Sequence, residues 1–282
     1  MRFSTLLALA ALPLAAYAKA GPQAQYLVQR ALEPVIIDGK LDEFSWEQAH
    51  QINRFERILN DYDEVLFPTR AKMLWDSSYF YFAFVCQDAD MWAIYDQEDD
   101  PMWSEEVVEV FIDPDGDGKR YLELEVNPLN AVVDLLIYSV SPEWHSSKDW
   151  DIAGLKTAVQ AYGTVNDSLA LDRGWTAEIA IPWAAMADSV TGGGRPTAGD
   201  VWRLNLYRIE RKGGRTLQGR IRDLQAQMAQ LDSLDEQIPD LKATLSALGE
   251  HYHEQTEYTA WSETYQRGFH HPARFGAVQF AE

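Results

Sequence analysis

Cysteine and basic residues are scarce in this 282-residue chain. The single cysteine, Cys86, has no partner for an intrachain disulfide, and it closes the apolar run Tyr79 to Cys86, which is typical of a core position. The chain has 24 Lys and Arg against 44 Asp and Glu residues, giving a formal charge of −20, and its sequence contains no Lys/Arg cluster that could form a basic face. We therefore expect no nucleic-acid partner.

Long apolar stretches are also missing, since no segment approaches the roughly 18 to 20 uninterrupted apolar residues that a membrane-spanning helix requires. Residues 1–18 combine the basic Arg2, the apolar run Leu6 to Ala16 and the small residues Ala16 and Ala18, a combination typical of a secretory signal. We predict cleavage near Ala18, no transmembrane span, and a mature protein, residues 19–282, that is secreted or periplasmic.

The sequence motifs that mark enzymes are absent as well. It contains no nucleophile elbow, phosphate loop, zinc-protease helix or dinucleotide fingerprint. Paired carboxylates, such as Glu105 with Glu106 and Glu123 with Glu125, could supply the acid and the nucleophile of a glycoside hydrolase, although such pairs arise by chance in an acidic chain. A non-catalytic role is therefore favoured, with an O-glycosyl hydrolase as the alternative.

What is present is a series of short strands separated by Gly, Pro, Asp and Asn turns. This texture predicts one all-β domain, an antiparallel β-sandwich of about nine or ten strands. In one of these strands Leu122, Leu124 and Val126 alternate with polar residues, so one face is apolar and the other polar. The strands with the clearest patterns are Arg70 to Trp75, Tyr79 to Val85, Val107 to Ile112, Tyr121 to Asn127, Ala131 to Tyr138, Leu155 to Tyr162, Trp175 to Ile181, Val201 to Ile209 and Phe275 to Phe280.

One segment departs from the strand pattern. Between Arg215 and Leu248 apolar residues recur at spacings of three and four, which indicates helix. Pro239 and the polar stretch Asp232 to Gln237 favour two antiparallel helices, with Pro239 in the first turn of the second. We predict a coiled-coil-like α-helical hairpin inserted at residues 215–250. Its apolar stripe is either the seam between the two helices or a surface for self-association or a protein partner.

The acidic turn Asp113-Pro-Asp115-Gly-Asp117-Gly118 is a candidate calcium site. Its aspartate spacing and the Gly at the sixth position match the start of an EF-hand loop, but the twelfth position is Leu124 instead of a bidentate Glu. A Ca²⁺ ion held by Asp113, Asp115 and Asp117 and a solvated turn between two strands both stay open.

Trp103 is the aromatic residue that core packing explains least well. It lies in a loop of acids and proline, Asp99 to Glu106, just before a strand. An exposed ring can stack on the flat apolar face of a sugar while nearby polar side chains bind the hydroxyl groups. The sequence therefore suggests a carbohydrate site around Trp103.

Several segments together resemble the family 9 carbohydrate-binding modules. They are Ile37 to Trp46, Met73 to Asp76, Trp103 to Asp113, Tyr121 to Asn127, Gly174 to Trp183, Trp202 to Arg208 and Phe269 to Gly276. The resemblance implies a β-sandwich that binds a poly- or oligosaccharide in support of carbohydrate catabolism, commonly beside glycoside hydrolases and with structural calcium in some members. The match and the insert leave no room for a hydrolase domain, so we expect a free-standing module.

The resemblance also implies site residues. Trp103 and Phe269 match the two rings that sandwich a terminal sugar, with Trp261 nearby. The polar positions that hold hydroxyl groups match Glu109, Glu125, Asn127 and Tyr207, but Glu125 and Tyr207 stand where sugar-binding members have Arg and amide groups. Related sandwich domains that hold haem give a further alternative, with Met73, Met102 and the histidines near His270 as candidate axial ligands.

Overall fold

The structure is a computed structural model that describes residues 23–59, 64–167, 169–211, 215–231 and 237–282. The predicted secretory signal, residues 1–18, lies outside the described residues. Fourteen strands occur in the described ranges: β1 (Gln25–Arg30), β2 (Gln51–Ile52), β3 (Glu56–Arg57), β4 (Thr69–Trp75), β5 (Tyr79–Cys86), β6 (Val107–Asp113), β7 (Tyr121–Val126), β8 (Val132–Ser139), β9 (His145–Ser147), β10 (Lys156–Ala161), β11 (Trp175–Pro182), β12 (Val201–Arg211), β13 (Thr256–Ala260) and β14 (Gly276–Phe280). The α-helices are α1 (Phe44–Gln48), α2 (Trp183–Ala187), α3 (Arg215–Ala229) and α4 (Ile238–Gln255).

The strands form two layers. In the layer that we call the site sheet the order is β14-β12-β6-β7-β8-β9, and β13 and β3 extend it beside β12. In the layer that we call the back sheet the order is β10-β11-β5-β4, and β2 pairs with β4. The all-β sandwich predicted from the sequence is thereby confirmed, and each of the nine strands predicted individually corresponds to a strand of the structure.

The architecture differs from the prediction in strand count and in one strand direction. The described residues hold fourteen strands instead of nine or ten, because β1, β2, β3, β9 and β13 were not predicted. β1 runs parallel to both of its neighbours, pairing with β14 through Gln25 to Val28 and with β4 through Gln29 and Arg30. The sandwich is therefore mixed instead of wholly antiparallel, and β1 links the two layers.

The main core fills the space between the two sheets. It is rich in aromatic residues: Phe80 stacks on Trp183 at a centroid distance of 5.5 Å, and Phe280 packs edge-on against Trp202 at 5.2 Å. Aromatic side chains bury the largest apolar areas, so these rings supply much of the free energy of burial. Cys86 belongs to this core and is buried, as its apolar neighbours predict.

A smaller core lies on the other face of the site sheet. Phe111, Tyr121, Tyr207 and Phe275 pack there, with Phe111 edge-on to Tyr207 at 5.0 Å. Because side chains alternate along a strand, β6, β7 and β12 each supply residues to both cores. The site sheet is thus covered on both faces along part of its length.

The inserted segment forms the two helices that the periodicity predicts. α3 and α4 contact each other, and α4 contacts β13. Pro239 is the second residue of α4, where its missing N–H costs little. Along the part of the hairpin whose side chains are described, the apolar residues of the stripe are half-buried: Ile221, Leu224, Met228, Leu231, Ile238, Leu241, Leu245 and Leu248. None of the helices found in the described ranges is long and apolar enough to cross a membrane.

Candidate functional site

A cavity of about 1120 Å³ opens on the outer face of the site sheet. Its floor comes from β6 and β7, where alternation sends Val110, Leu122 and Leu124 into the main core and turns Glu109, Glu123 and Glu125 the other way. The polar face predicted for β7 is therefore the floor of a cavity instead of a face open to solvent.

Three carboxylates meet on this floor. Glu109 pairs directly with Glu125 across the β6–β7 ladder, and Glu123 precedes Glu125 by two residues on the same face of β7. The exposed fractions are only 2% for Glu109, 5% for Glu123 and 1% for Glu125, and one carboxylate oxygen from each lies within 4.8 Å of the others. We call these three residues the acidic triad.

Burial changes the acid–base behaviour of the acidic triad. It raises the pKa of Glu123 to about 8 and those of Glu109 and Glu125 well above their usual range, and the neighbouring carboxylates add to the effect on Glu109 and Glu125. Desolvation penalises the charged form of an acid, and like charges do the same. Without a ligand, the floor therefore holds protons at neutral pH.

The hydrogen-bond partners of the triad are few. Among the described residues neither oxygen of Glu125 receives a hydrogen bond, and Oε2 of Glu123 has His270 Nε2 at 3.6 Å, beyond hydrogen-bonding distance. Tyr121 Oη lies 2.7 Å from His270 Nδ1. Burial lowers the pKa of His270 to about 4, so this imidazole is neutral at physiological pH. The floor therefore offers carboxyl oxygens and O–H groups to a ligand, with little fixed positive charge.

Two exposed tryptophans flank the mouth of the cavity. Trp103 lies in the 3-10 turn Met102–Ser104, where buried Met102 anchors the turn and leaves the Trp103 ring 41% exposed. Trp144 immediately precedes β9, is 53% exposed and packs edge-on against His270 at 4.5 Å. Lys148 places its Nζ 5.0 Å from the centre of the Trp103 ring, a cation–π contact. Large exposed rings beside a cavity are typical of ligand-binding surfaces.

Phe269 contributes a buried ring to the cavity wall. It stacks on Tyr207 with a centroid distance of 4.1 Å and an angle of 10° between the ring planes. Its backbone oxygen accepts hydrogen bonds from Tyr207 Oη at 2.8 Å and from the backbone N–H of His271 at 2.7 Å. Tyr207 is fully buried, so its part is to fix Phe269 in place.

The helical insert also reaches the cavity. Glu250 of α4 lines the wall, together with Thr256 and Tyr258 of β13, the strand that follows the insert. Arg57 of β3 and Arg267 supply basic groups there, and Arg57 lies 3.9 Å from Glu257. The insert is therefore a structural part of the site region, a role that the sequence did not predict.

The structure brings four of the seven predicted sugar contacts together and leaves three elsewhere. Trp103, Phe269, Glu109 and Glu125 line the cavity, whereas Asn127, Tyr207 and Trp261 are not among its lining residues. Asn127 is buried in the β7–β8 turn, where Oδ1 accepts from the N–H groups of Leu129 and Ala131 at 3.0 Å each and Nδ2 donates to the Tyr95 carbonyl. Trp261 packs edge-on against Tyr26 at 6.4 Å, next to the main core.

The other candidate acid pair, Glu105 with Glu106, holds the chain near residues 92–94 instead of lining this cavity. Glu105 Oε2 accepts from the N–H of Ile94 at 2.7 Å, and Glu106 Oε2 accepts from the N–H of Trp92 at 2.9 Å. Glu106 also belongs to a buried cluster with Asp88 and Glu210 around Arg208. Arg208 forms ion pairs with Asp88 and Glu210 there, and its guanidinium lies 4.9 Å from the Trp175 ring.

The candidate axial haem ligands are not brought together. Met73 is fully buried in the main core between the sheets, whereas Met102 is fully buried in the smaller core on the opposite face of the site sheet. His270 uses Nδ1 with Tyr121 at the cavity. Two of these groups could ligate one haem only if they stood on either side of a single open cleft.

The Asp113 turn supplies part of the set of oxygen ligands that a calcium ion needs. One oxygen from each of Asp113, Asp115 and Asp117 lies within 4.8 Å of the others. Asp113 Oδ2 accepts from the Gly118 N–H at 2.9 Å, while buried Oδ1 has no partner among the described residues, and burial raises the pKa of Asp113 to about 7. The residues present fit an oxygen-ligand cation at the edge of the β6–β7 hairpin.

Sequence analysis missed Trp144, Glu123 and Lys148 as cavity residues. Trp144 carries the same signal that pointed to Trp103, since it follows Pro142 and Glu143 in a polar loop between strands. Glu123 shares its strand face with Glu125, so the alternation that placed one could have placed the other. Lys148 gives no such signal, because an isolated lysine in a polar loop is ordinarily solvated.

Comparison with known proteins assigns the family. Residues 37–230 match the family described as carbohydrate family 9 binding domain-like. The chain belongs to this family. An extracellular protein of Arthroderma benhamiae is 31% identical over 111 residues, which cover 39% of this chain and 47% of that protein, so the match spans about half of the relative's length.

Solved structures agree with this assignment at the level of the fold. A candidate carbohydrate-binding protein from Bacteroides uniformis matches 92% of this chain and all of its own with a TM-score of 0.60 at 14% identity. Two structures of a family 9 carbohydrate-binding module from Caldicellulosiruptor kristjanssonii, in complex with cellotriose and with glucose, each match 91% of this chain at 14% identity. They match 93% and 95% of their own chains with TM-scores of 0.52 and 0.50. The family 9 resemblance predicted from the sequence is thereby confirmed.

Proposed function

We propose that this protein is an exported, non-catalytic carbohydrate-binding protein whose ligand is a poly- or oligosaccharide. Membership in the family supports carbohydrate binding, and the relatives complexed with cellotriose and glucose support a glycan ligand. The match to a protein named as extracellular, together with the predicted signal at residues 1–18, supports export. The function consistent with all of these is recognition of extracellular glycan in support of carbohydrate catabolism.

The observation that carries the proposal is the combination of exposed rings and buried acceptors in one cavity. Trp103, Trp144 and Phe269 provide flat apolar surfaces, and Glu109 and Glu125 provide acceptors for hydroxyl groups. Sugars present alternating apolar faces and polar edges, so a site needs both kinds of surface. We expect the sugar to stack on the tryptophans while its hydroxyls face the floor.

The proposal is tested by replacing each tryptophan with alanine. A Trp side chain buries roughly 150–250 Å², and at the exposures of Trp103 and Trp144 about 60 Å² of one ring face is free to be covered. At about 25 cal/mol per Å² this is about 1.5 kcal/mol, so each variant should bind roughly tenfold more weakly. Calorimetry on ligands identified by a glycan array measures the change.

Phe44→Ala is the matched control. Phe44 is an aromatic residue of α1 with 52% exposure, and it does not line the cavity. Its replacement should leave affinity within about twofold, because it removes exposed ring area away from the ligand. Unchanged affinity in both Trp103→Ala and Trp144→Ala, with folded protein and a verified ligand, would place the sugar elsewhere.

A structural calcium ion at Asp113, Asp115 and Asp117 is part of the same proposal. The convergence of the three carboxylates and the buried, partnerless Oδ1 of Asp113 support it. The ion would offset the negative charge of the β6–β7 turn and so stabilise the hairpin that carries the acidic triad.

Self-association through α3 and α4 stays a prediction.

A further inference from the structure

The floor of the cavity gathers three buried carboxyl groups, which hold protons without a ligand and become charged only beside a cation. Three carboxylates stand within 4.8 Å of one another, and each has an exposed fraction of 5% or less. A hydroxyl group can donate only one hydrogen bond, and it brings no positive charge. A buried carboxylate is stable only if it is protonated or paired with a cation.

The basic groups of the cavity do not supply that cation at the floor. His270 stands nearest to Glu123, and burial keeps its imidazole neutral. The ammonium of Lys148 lies over the Trp103 ring and acts on Glu125 only through space, and Arg57 faces Glu257. Arg267 and Glu250 complete the charged lining of the wall. The acidic triad can therefore exchange a proton for the positive charge of a ligand.

The contact between Lys148 and Trp103 indicates which ligand group can bind beside the exposed rings of the cavity. An ammonium rests 5.0 Å from the centre of an exposed ring at the edge of the same cavity. Aromatic faces attract ammonium groups, and an ammonium has three N–H donors, as many as there are carboxylates in the triad. A ligand ammonium would thus meet rings at the mouth and acceptors at the floor.

We propose that the acidic triad selects amino sugars, so that the preferred ligand carries a free ammonium group, as in β-1,4-linked glucosamine. This proposal rests on the proposed carbohydrate binding and adds the class of sugar. Glu125 supports it, because it lines the cavity and neither of its buried carboxylate oxygens has a hydrogen-bond partner among the described residues.

The test compares three trisaccharides that differ only at carbon 2 of each ring. They are β-1,4-linked glucose with a hydroxyl, β-1,4-linked glucosamine with an ammonium, and β-1,4-linked N-acetylglucosamine with a neutral acetamide. Calorimetry near neutral pH should show glucosamine trisaccharide binding at least about tenfold more tightly than the other two, as expected for a partly buried charge pair.

The variant Glu125→Gln keeps the shape of the side chain and mimics its protonated form, so we expect it to fold. It should remove most of the preference for glucosamine, lowering that affinity by about tenfold while changing cellotriose binding much less. Glu109→Gln provides a second variant with the same expectation. Glu143→Gln removes one charge from an exposed position outside the cavity lining, and it should keep the preference.

Each outcome decides between the proposals. Equal affinity for glucose and glucosamine trisaccharides would overturn the amino-sugar proposal and leave carbohydrate binding intact. Loss of glucosamine binding on adding a chelator to Asp113→Asn, which lacks the proposed calcium site, would overturn it as well, because the triad would then hold a divalent cation. A folded protein that binds none of the three, and no glycan on an array, would overturn the proposed function together with this inference.

Discussion

Replacing Glu123 with glutamine should flatten the dependence of stability on pH. Burial raises the pKa of Glu123 from 4.5 to about 8 in the folded protein. The unfolded chain therefore loses this proton as the pH rises past about 4.5, while the folded protein keeps it up to about pH 8. The stabilisation is fully present below the lower value and is lost as the pH rises through the higher one.

The size of the effect follows from proton linkage. A difference of one bound proton changes the free energy of unfolding by about 1.4 kcal/mol per pH unit. Glu109 and Glu125, whose pKa values are also raised, contribute slopes of the same sign, so the wild-type protein should lose stability steadily from about pH 5 to about pH 8. Glu123→Gln should reduce this slope by about 1 kcal/mol per pH unit.

Urea unfolding followed by tryptophan fluorescence across this range measures the slope. Glu143→Gln is the matched control, since Glu143 is exposed and lies outside the cavity lining, and its slope should equal that of the wild type. A wild-type stability that is constant or rises over this range, or an unchanged slope in Glu123→Gln, would refute the account of the buried triad.

Two further predictions concern the framework of the site. Gly174→Ala should destabilise the protein by about 1–3 kcal/mol from backbone strain alone, since Gly174 has φ of +120° and an added Cβ would lie 1.9 Å from the Cys86 carbonyl oxygen. The control is Gly194→Ala, which should cost much less because the space around Gly194 is open. Equal melting temperatures for the two variants would contradict this prediction. Calcium should stabilise the wild type and so raise its melting temperature. At a hundredfold excess over Kd the gain in the free energy of unfolding is up to about 2.7 kcal/mol, and Asp113→Asn should remove it. A wild-type melting temperature that is indifferent to millimolar calcium would exclude the Asp113 turn as a calcium site.

The strands with strong local patterns were predictable from the sequence. Tyr79 to Cys86 is apolar throughout because β5 is central and buried on both faces, and β7 alternates because its faces meet different surroundings. β2, β3 and β9 are too short for any periodicity. β1 owes its place to parallel pairing with β14, a contact between residues about 250 positions apart that no local pattern encodes.

The site residues were predictable where loop composition identified exposed side chains. They were less predictable where burial in the tertiary structure sets the role of a residue. Trp103 follows a cluster of acids and proline, and it lines the cavity. Asn127 and Tyr207 have side chains that could contact a ligand. Instead, Asn127 accepts hydrogen bonds from backbone N–H groups, and Tyr207 stacks on Phe269. Glu106 and Arg208 are charged residues inside the fold, and their burial depends on Asp88 and Glu210, which only the tertiary structure brings close.

The face on which the acidic triad lies also determines how β6 and β7 can pair. Side chains alternate with a period of two, so sliding either strand by one residue would turn its carboxylates into the space between the two sheets. Glu123 and Glu125 would then take the places of Leu122 and Leu124, among the aromatic rings of the main core. Burying uncompensated carboxylates there costs far more than the apolar contacts of the slipped hairpin could return. The triad therefore raises the free energy of a β6–β7 hairpin with a shifted register, and so disfavours this misfolded pairing during folding.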